Sequence, residues 1–170
     1  MSESIRDAIA GASQWLNEHP DRARYTDSLA TARLESGLRV TVEGPNGESL
    51  TTDMPNAVGG AESAISPGWA FRAAMAACLL SVATMRAAQL GVAGFGCEVD
   101  VDSESDDRGI LGLDGGVPAG PLAVRIGFRM RADVLDMATL EEIAAWAVDH
   151  CPVSEGIGRK VPVRFDVSLV

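Results

Sequence analysis

Residues Ser66–Cys78, with the sequence SPGWAFRAAMAAC, decide the fold because they open the longest helix that the chain predicts. Ser66 suits the N-cap position and Pro67 suits the first helical position. The helical pattern continues to about Leu90, and Gly91 predicts its end. The middle of this helix has no polar face, which is typical of a helix that protein surrounds. We therefore predict a central helix that packs on more than one side.

The segments that flank this helix predict strands and a second helix. Three extended runs with turn signals between them predict an antiparallel meander at residues 29–35, 38–43 and 49–54. After the central helix, the pattern predicts two strands, an amphipathic helix and a last strand, at residues 95–103, 122–131, 138–149 and 162–170. This mixture predicts an α+β fold.

The N-terminal residues form a separate feature, since an amphipathic helix at residues 4–18 precedes the first predicted strand. No repeat or linker divides the rest of the chain. We therefore predict an N-terminal helical extension at residues 1–28 and a single domain at residues 29–170.

Composition narrows the possible partners. A formal net charge of -10 argues against nucleic acid and against anionic lipid surfaces, which both need clustered cations. The first residues lack the basic and apolar regions of a signal peptide. The uncharged part of the central helix, between Arg72 and Arg86, is shorter than the roughly 20 residues that span a bilayer. We expect a cytoplasmic protein without a nucleic-acid or membrane partner.

Three cysteines in a reducing compartment indicate free thiols or transient redox chemistry. Cys78 lies on an apolar stripe about three turns into the central helix, where the helix dipole does not lower a thiol pKa, and core packing alone would explain it. Cys151 precedes Pro152, so it is predicted near the N-cap of a new helical turn, where N–H groups favour the thiolate. A cysteine that simply occupies a joint between helices is equally compatible. Cys97 is predicted to fill the core.

Two segments together resemble the OsmC/Ohr family of thiol-dependent hydroperoxide reductases. Residues 66–78 are similar to the family's Asn-Pro-Glu-x-Leu opening of a central helix that ends in Ala-Cys. Cys151-Pro-Val-Ser154 is similar to the Cys-Pro-Val-Ser that follows the family's second helix. The resemblance covers about residues 30–170. It implies an OsmC-like fold, with antiparallel sheets around the long central helix of an intertwined homodimer.

The resemblance also implies a mechanism. The Cys78 thiolate would attack the terminal oxygen of an organic hydroperoxide and become a sulfenic acid, which Cys151 would resolve as a disulfide. An external thiol or dithiol would reduce this disulfide, so no bound cofactor is expected. Neither histidine has a spacing to cysteine that matches a zinc site, so no metal is expected. The chain would then be a peroxidase of the oxidative stress response.

One position departs from the family pattern. Family members carry a glutamate directly after the proline that opens the central helix, and this glutamate orients an activating arginine. Gly68 occupies that position here. Arg39 is the closest match for the arginine, and Arg33 is the other candidate. The departure leaves two alternatives open: a non-catalytic dimer that binds a ligand, and a redox sensor whose disulfide alters a partner surface.

Overall fold

The N-terminal part of the chain forms a helix and a three-stranded sheet. The computed structural model describes residues 2–134 and 136–169. Helix α1 (Ser2–Glu18) ends just before His19 and Pro20, because a residue that precedes proline avoids the helical conformation. The strands that follow pair antiparallel in sequence order: β1 (Thr31–Ser36), β2 (Arg39–Glu43) and β3 (Ser49–Thr52). The predicted meander is confirmed.

Helix α2 (Pro67–Gln89) is the central element, and its ends are those expected from the sequence. The Ser66 hydroxyl oxygen accepts the N–H of Trp69 at 3.1 Å, which satisfies one of the free donors of the first turn. Leu90 is the C-cap, and Gly91 follows with a φ of +72°, a conformation that favours glycine. The helix packs against α1 and against elements of the second half of the chain. Packing on more than one side is therefore confirmed.

The second half of the chain supplies a two-stranded antiparallel sheet and two helices, one long and one short, that contact α2. Its elements in chain order are β4 (Gly96–Glu104), α3 (Asp107–Ile110), β5 (Ala123–Arg131), α4 (Met137–His150) and α5 (Pro152–Gly158). Helix α4 lies close to α2 because small side chains meet there, with Ala83 and Ala87 of α2 packed near Ile143 and Ala147. These residues form one of the two buried apolar clusters of the chain that the structure describes.

The predicted last strand is not formed within the chain. Residues 161–169 belong to no helix or sheet, and Val170 lies outside the described residues. Their apolar side chains are almost fully exposed, with relative accessibilities of 86% at Val163, 85% at Phe165 and 89% at Val167. An isolated extended segment cannot become a strand without a partner edge to receive its N–H and C=O groups. The prediction failed because no strand edge among residues 2–134 and 136–169 pairs with this segment.

Helix α2 also has the length and composition of a membrane-spanning helix, and it is the one helix among the described residues of which this is true. Two of its arginines bind other elements of the chain: Arg72 donates to the Ser103 hydroxyl of β4 at 3.3 Å, and Arg86 donates to Glu142 of α4 at 2.8 Å. Because α2 also packs against α1, α4, α5 and β4, its apolar composition is that of a core helix.

The loop between β3 and α2 is fastened by a buried carboxylate that the sequence did not reveal. Asp53 is 2% exposed. Its Oδ2 accepts the Ser63 hydroxyl at 2.7 Å and the N–H groups of Ser63 and Ala61 at 3.0 and 3.2 Å. The Met54 N–H donates to Oδ1 at 2.8 Å. The Asp53 carboxylate thus supplies the hydrogen-bond acceptors that fix the loop before the start of α2.

Candidate functional site

Cys78 and Cys151 lie together in an apolar cluster, although they are 73 positions apart in the sequence. Helix α2 supplies Cys78, and the joint between α4 and α5 supplies Cys151; both are free thiols. Met75, Leu79 and Cys151 are buried at the centre of the cluster. The partly buried side chains around them are apolar as well: Phe71, Val99, Val101, Val124, Ile126, Phe128, Val148 and Val153.

Cys151 occupies the joint itself, where it is both the C-cap of α4 and the N-cap of α5. Its φ of −80° and ψ of 115° are extended, because Pro152 excludes the helical conformation for the residue before it. The side chain is fully buried. Val153 and Ser154 follow Pro152 in the first turn of α5, so their backbone N–H groups lie at the end of the helix that Cys151 caps. The prediction of an N-cap position for Cys151 is confirmed.

Cys78 packs against the buried cluster that contains Cys151, and the surroundings of the two thiols shift their pKa values in opposite directions. Burial raises the pKa of the Cys78 thiol, and the neighbouring Cys151 raises it further. Burial also raises the pKa of Cys151, but the neighbouring groups of Ser154, Cys78 and Val153 outweigh burial, so its pKa is lowered.

No cation of the described chain pairs with either thiol. Arg72 and Arg86, which lie on the same helix as Cys78, are bound to Ser103 and Glu142. The Arg86 guanidinium also lies over the ring of Trp146, 5.4 Å from its centroid. Neither arginine of α2 stabilises a thiolate in this arrangement.

The two candidate activating arginines lie on the first sheet. Arg33 of β1 pairs with Glu43 of β2. Arg39 donates to the carboxylate of Glu35 at 2.8 Å and to the Ser63 hydroxyl at 2.8 Å. Ser63 precedes the N-terminus of α2, whereas Cys78 lies about 16 Å further along the helix axis at 1.5 Å per residue. An Arg39 that activates Cys78 would thus have to come from a second chain, and this role stays a prediction.

Gly68 leaves the start of α2 open. A Cβ at this position would meet nothing closer than Arg72 Nη1 at 3.8 Å and Ser66 Oγ at 4.0 Å. Space therefore does not exclude a glutamate here. The carboxylate that holds Arg39 in this chain is Glu35, whose pKa is lowered by hydrogen bonds from Thr41 and then from Arg39. The sequence pattern had not indicated Glu35, because its partner becomes visible only when β1 and β2 pair.

The other possible sites are less convincing. Cys97 on β4 is half-buried and its pKa is raised by burial, which agrees with the packing role expected for it. Within residues 2–134 and 136–169, no group of three or more His, Cys, Asp or Glu side chains could hold a metal ion. A cavity of about 950 Å³ lies between the end of α2 and the start of α4, lined by Arg86, Glu142 and neighbouring residues, and it contains no cysteine.

Two sequence comparisons differ in their outcome. The model of the family described as "OsmC-like protein" matches residues 59–166, which is more than half of the chain and includes both Cys78 and Cys151. No curated protein matches the chain significantly. Among the sequence comparisons, the family assignment therefore rests on the match to the family model.

Solved structures agree with the fold. An OsmC-like protein from Mycoplasma pneumoniae superposes with a TM-score of 0.66 at 15% identity, over 79% of this chain and 89% of that chain. An organic hydroperoxide resistance protein OsmC from Legionella pneumophila superposes with a TM-score of 0.55 at 24% identity, over 80% of this chain and 91% of that chain. An organic hydroperoxide resistance protein from Elizabethkingia anophelis superposes with a TM-score of 0.54 at 17% identity, over 78% of this chain and 89% of that chain. At these identities the likeness establishes the fold.

Proposed function

The chain belongs to the OsmC-like protein family, and we propose that it is a thiol-dependent peroxidase that reduces organic hydroperoxides. The observation that carries the proposal is that Cys78 packs against the buried apolar cluster that contains Cys151. Two thiols in contact can form a disulfide without a large rearrangement of the backbone. Relatives of the same fold are organic hydroperoxide resistance proteins, which supports this choice of substrate class.

The two thiols differ in access, and this difference assigns their roles. Cys78 is half-buried and can meet a substrate, whereas Cys151 is fully buried. Cys78 would attack the terminal peroxide oxygen, release the alcohol and become a sulfenic acid. The Cys151 thiolate would then attack the Cys78 sulfur, so that the S–S bond forms, the S–O bond breaks and hydroxide leaves to be protonated by solvent. An external thiol or dithiol would restore both residues by exchange.

The apolar surroundings favour an organic over a small polar peroxide. Phe71 and Met75 lie on the same helix as Cys78, and Val101 and Ile126 approach from the sheet. An alkyl or aryl group buried against such side chains contributes about 25 cal/mol per Å² of apolar surface removed from water. Hydrogen peroxide has no such group and would gain nothing from this contact.

A substoichiometric pulse of cumene hydroperoxide tests the proposal. We expect the reduced protein to acquire one intramolecular Cys78–Cys151 disulfide per peroxide consumed, because the second thiol already contacts the first. Mass spectrometry of non-reduced peptides identifies the linkage. The Cys97→Ser variant is the matched control and should form the same disulfide in the same yield. A protein whose thiols stay reduced, or one that links Cys97 instead, would contradict the proposed reaction.

A redox sensor within the same family is the second candidate. It is favoured by the raised pKa of Cys78, which leaves less thiolate to attack a peroxide. It is also favoured by Gly68, which stands where the family resemblance implies a glutamate that orients an activating arginine. A sensor would form the disulfide once but would not turn over in the presence of a dithiol. A non-catalytic, ligand-binding dimer would not form it at all. Sustained consumption of hydroperoxide with dithiothreitol therefore separates the peroxidase from both alternatives.

A second copy of the chain is the partner that we propose. Residues 161–169 present alternating apolar side chains, and no backbone group of this segment bonds to another described residue. The first sheet ends in the edge strands β1 and β3, and Leu34 of β1 is 69% exposed. Pairing of the segment with an edge strand of a second chain would satisfy its backbone groups and bury its apolar side chains.

Sedimentation velocity tests this partner. The protein is expected to sediment with a mass of twice the 17.8 kDa of one chain. Phe165→Asp places a charge in the proposed interface and should raise the dissociation constant at least about tenfold. Phe165→Leu keeps an apolar side chain and should leave the mass unchanged. A wild-type protein that is monomeric at micromolar concentration would overturn this assignment.

A further inference from the structure

The turn between β2 and β3 carries a second kind of chemistry. Residues 45–49 of this turn have the sequence PNGES, and all of them are exposed. We propose that Asn46 is a site of spontaneous deamidation, at which the backbone nitrogen of Gly47 displaces the side-chain amide nitrogen and water completes the reaction. The inference is independent of the proposed function, because it involves neither a cysteine nor a peroxide.

The reaction needs only the chain and water. The Gly47 nitrogen loses its proton to solvent and attacks Cγ of Asn46, so that a C–N bond forms. The bond between Cγ and Nδ2 breaks, and the departing nitrogen takes a proton from solvent and leaves as ammonia. The product is a five-membered succinimide ring. Water opens this ring at either of its carbonyl carbons, which gives aspartate or isoaspartate, and no group is oxidised or reduced.

Gly47 leaves the attacking nitrogen unshielded. Its φ is +87°, a conformation that favours glycine. Apart from its neighbours in the chain, no described atom lies within 4 Å of the position that a Cβ would take. The Gly47 N–H donates to the carbonyl oxygen of Gly44 at 3.4 Å, which is longer than the roughly 3.0 Å of a typical bond of this kind. The nitrogen is thus both accessible to solvent and weakly bound.

Glu48 holds the amide that leaves in this reaction. Its Oε1 accepts Nδ2 of Asn46 at 3.1 Å, and its Oε2 accepts the Asn46 N–H at 2.9 Å. The carboxylate lies against Gly44, at a place that the Cβ of any other residue would occupy. The hydrogen bond from the Asn46 side chain lowers the pKa of Glu48, so the carboxylate is ionised at neutral pH. This one side chain restrains Asn46 and sets the rate at which the ring closes.

The other two asparagines of the chain lack this combination. Asn17 lies inside helix α1 and is followed by Glu18, and Asn56 is followed by Ala57 in a short helical turn. In both cases the next residue carries a Cβ that crowds its own backbone nitrogen. Asn46 is the one asparagine of the sequence that precedes a glycine, so it is the first that should react.

The products weaken the turn in which they form. Each of them places a carboxylate where the amide of Asn46 now donates to Glu48, so that repulsion replaces a hydrogen bond. Isoaspartate also adds a carbon atom to the main chain, close to the pair of Glu43 and Ser49 that begins the ladder between β2 and β3. The modified protein is therefore expected to melt about 3 °C lower at pH 7 than the unmodified protein.

Peptide mass spectrometry of aged protein tests the site. The reduced protein is kept at pH 8 and physiological temperature, with dithiothreitol to protect its thiols. The peptide that contains Asn46 is expected to gain about 1 Da and to separate into two chromatographic forms, at least about tenfold faster than the peptides that contain Asn17 and Asn56 gain the same mass. An Asn46 that reacts no faster than these two internal controls overturns the inference.

Three variants test the chemistry and its consequence. Asn46→Gln keeps the amide but requires a six-membered ring, so its peptide should stay unchanged while wild type reacts. Glu48→Ala frees the amide and should raise the rate about threefold or more. Asn46→Asp reproduces one product and should melt about 3 °C below wild type. Modification of Asn46→Gln at the wild-type rate overturns the ring mechanism. An unchanged rate in Glu48→Ala overturns the restraint, and an unchanged melting temperature in Asn46→Asp overturns the weakening of the turn.

Discussion

Replacing Cys78 by serine is expected to reduce the turnover of cumene hydroperoxide with dithiothreitol by at least about a thousandfold, because the variant has no nucleophile to attack the peroxide. The hydroxyl of serine is a far weaker nucleophile than a thiolate at neutral pH. Cys78 is half-buried, so the loss of one sulfur there removes little packing. The decrease should appear in kcat without a matching loss of folded protein.

Turnover is measured as the consumption of hydroperoxide under an excess of dithiol. Cys97→Ser changes a cysteine of the same chain that does not contact the pair, and it should retain the wild-type rate. Activity in Cys78→Ser that equals the wild-type activity would assign the reaction to another thiol or to a contaminant. A wild type that is no faster than a cysteine-free variant would remove the peroxidase proposal and leave the redox sensor and the non-catalytic dimer.

Replacing Asp53 by alanine is expected to lower the melting temperature at pH 7 on the order of 10 °C. The change leaves the hydroxyl and N–H of Ser63 and the N–H of Ala61 without the acceptor that they share. Buried donors without an acceptor lose the hydrogen bonds that water supplies in the unfolded chain. Because Arg39 also donates to the Ser63 hydroxyl oxygen, the same change loosens the anchor of that arginine.

The pH dependence of this effect follows from the pKa of Asp53. The hydroxyl and N–H of Ser63 lower this pKa in the folded state, together with the N–H groups of Met54 and Ala61. A carboxyl with a lowered folded pKa stabilises the protein above its unfolded pKa, and this stability is lost as the pH falls toward the folded value. The melting temperatures of wild type and Asp53→Asn should therefore converge below about pH 4.

Thermal melts followed by circular dichroism between pH 3 and 7 measure this convergence. Asp149→Asn is the matched control, because Asp149 is exposed at the end of α4 and its replacement should change the melting temperature by no more than about 1 °C. If the difference in melting temperature between wild type and Asp53→Asn stays constant down to pH 3, the carboxylate charge does not stabilise the loop.

Local physical chemistry in the sequence determined much of the fold. Ser66 and Pro67 define the start of α2 because the first turn needs an acceptor and tolerates a missing N–H. Gly91 marks its end, since the chain takes a left-handed conformation there. Cys151 is an N-cap because Pro152 forces the residue before it out of the helix. Each of these depends on neighbours within a few residues, so the sequence alone is sufficient.

Other features appear only when distant segments meet. Cys78 and Cys151 come together in one apolar cluster because α4 packs on the small residues of α2 and sets the joint between α4 and α5 against the middle of that helix. The carboxylate of Asp53 finds Ser63 across a loop, and Glu35 finds Arg39 across a hairpin. The last nine described residues alternate apolar and polar side chains as a strand does, but they pair with no other described residue. A hydrogen bond needs both partners in place, and only tertiary structure decides which partner arrives.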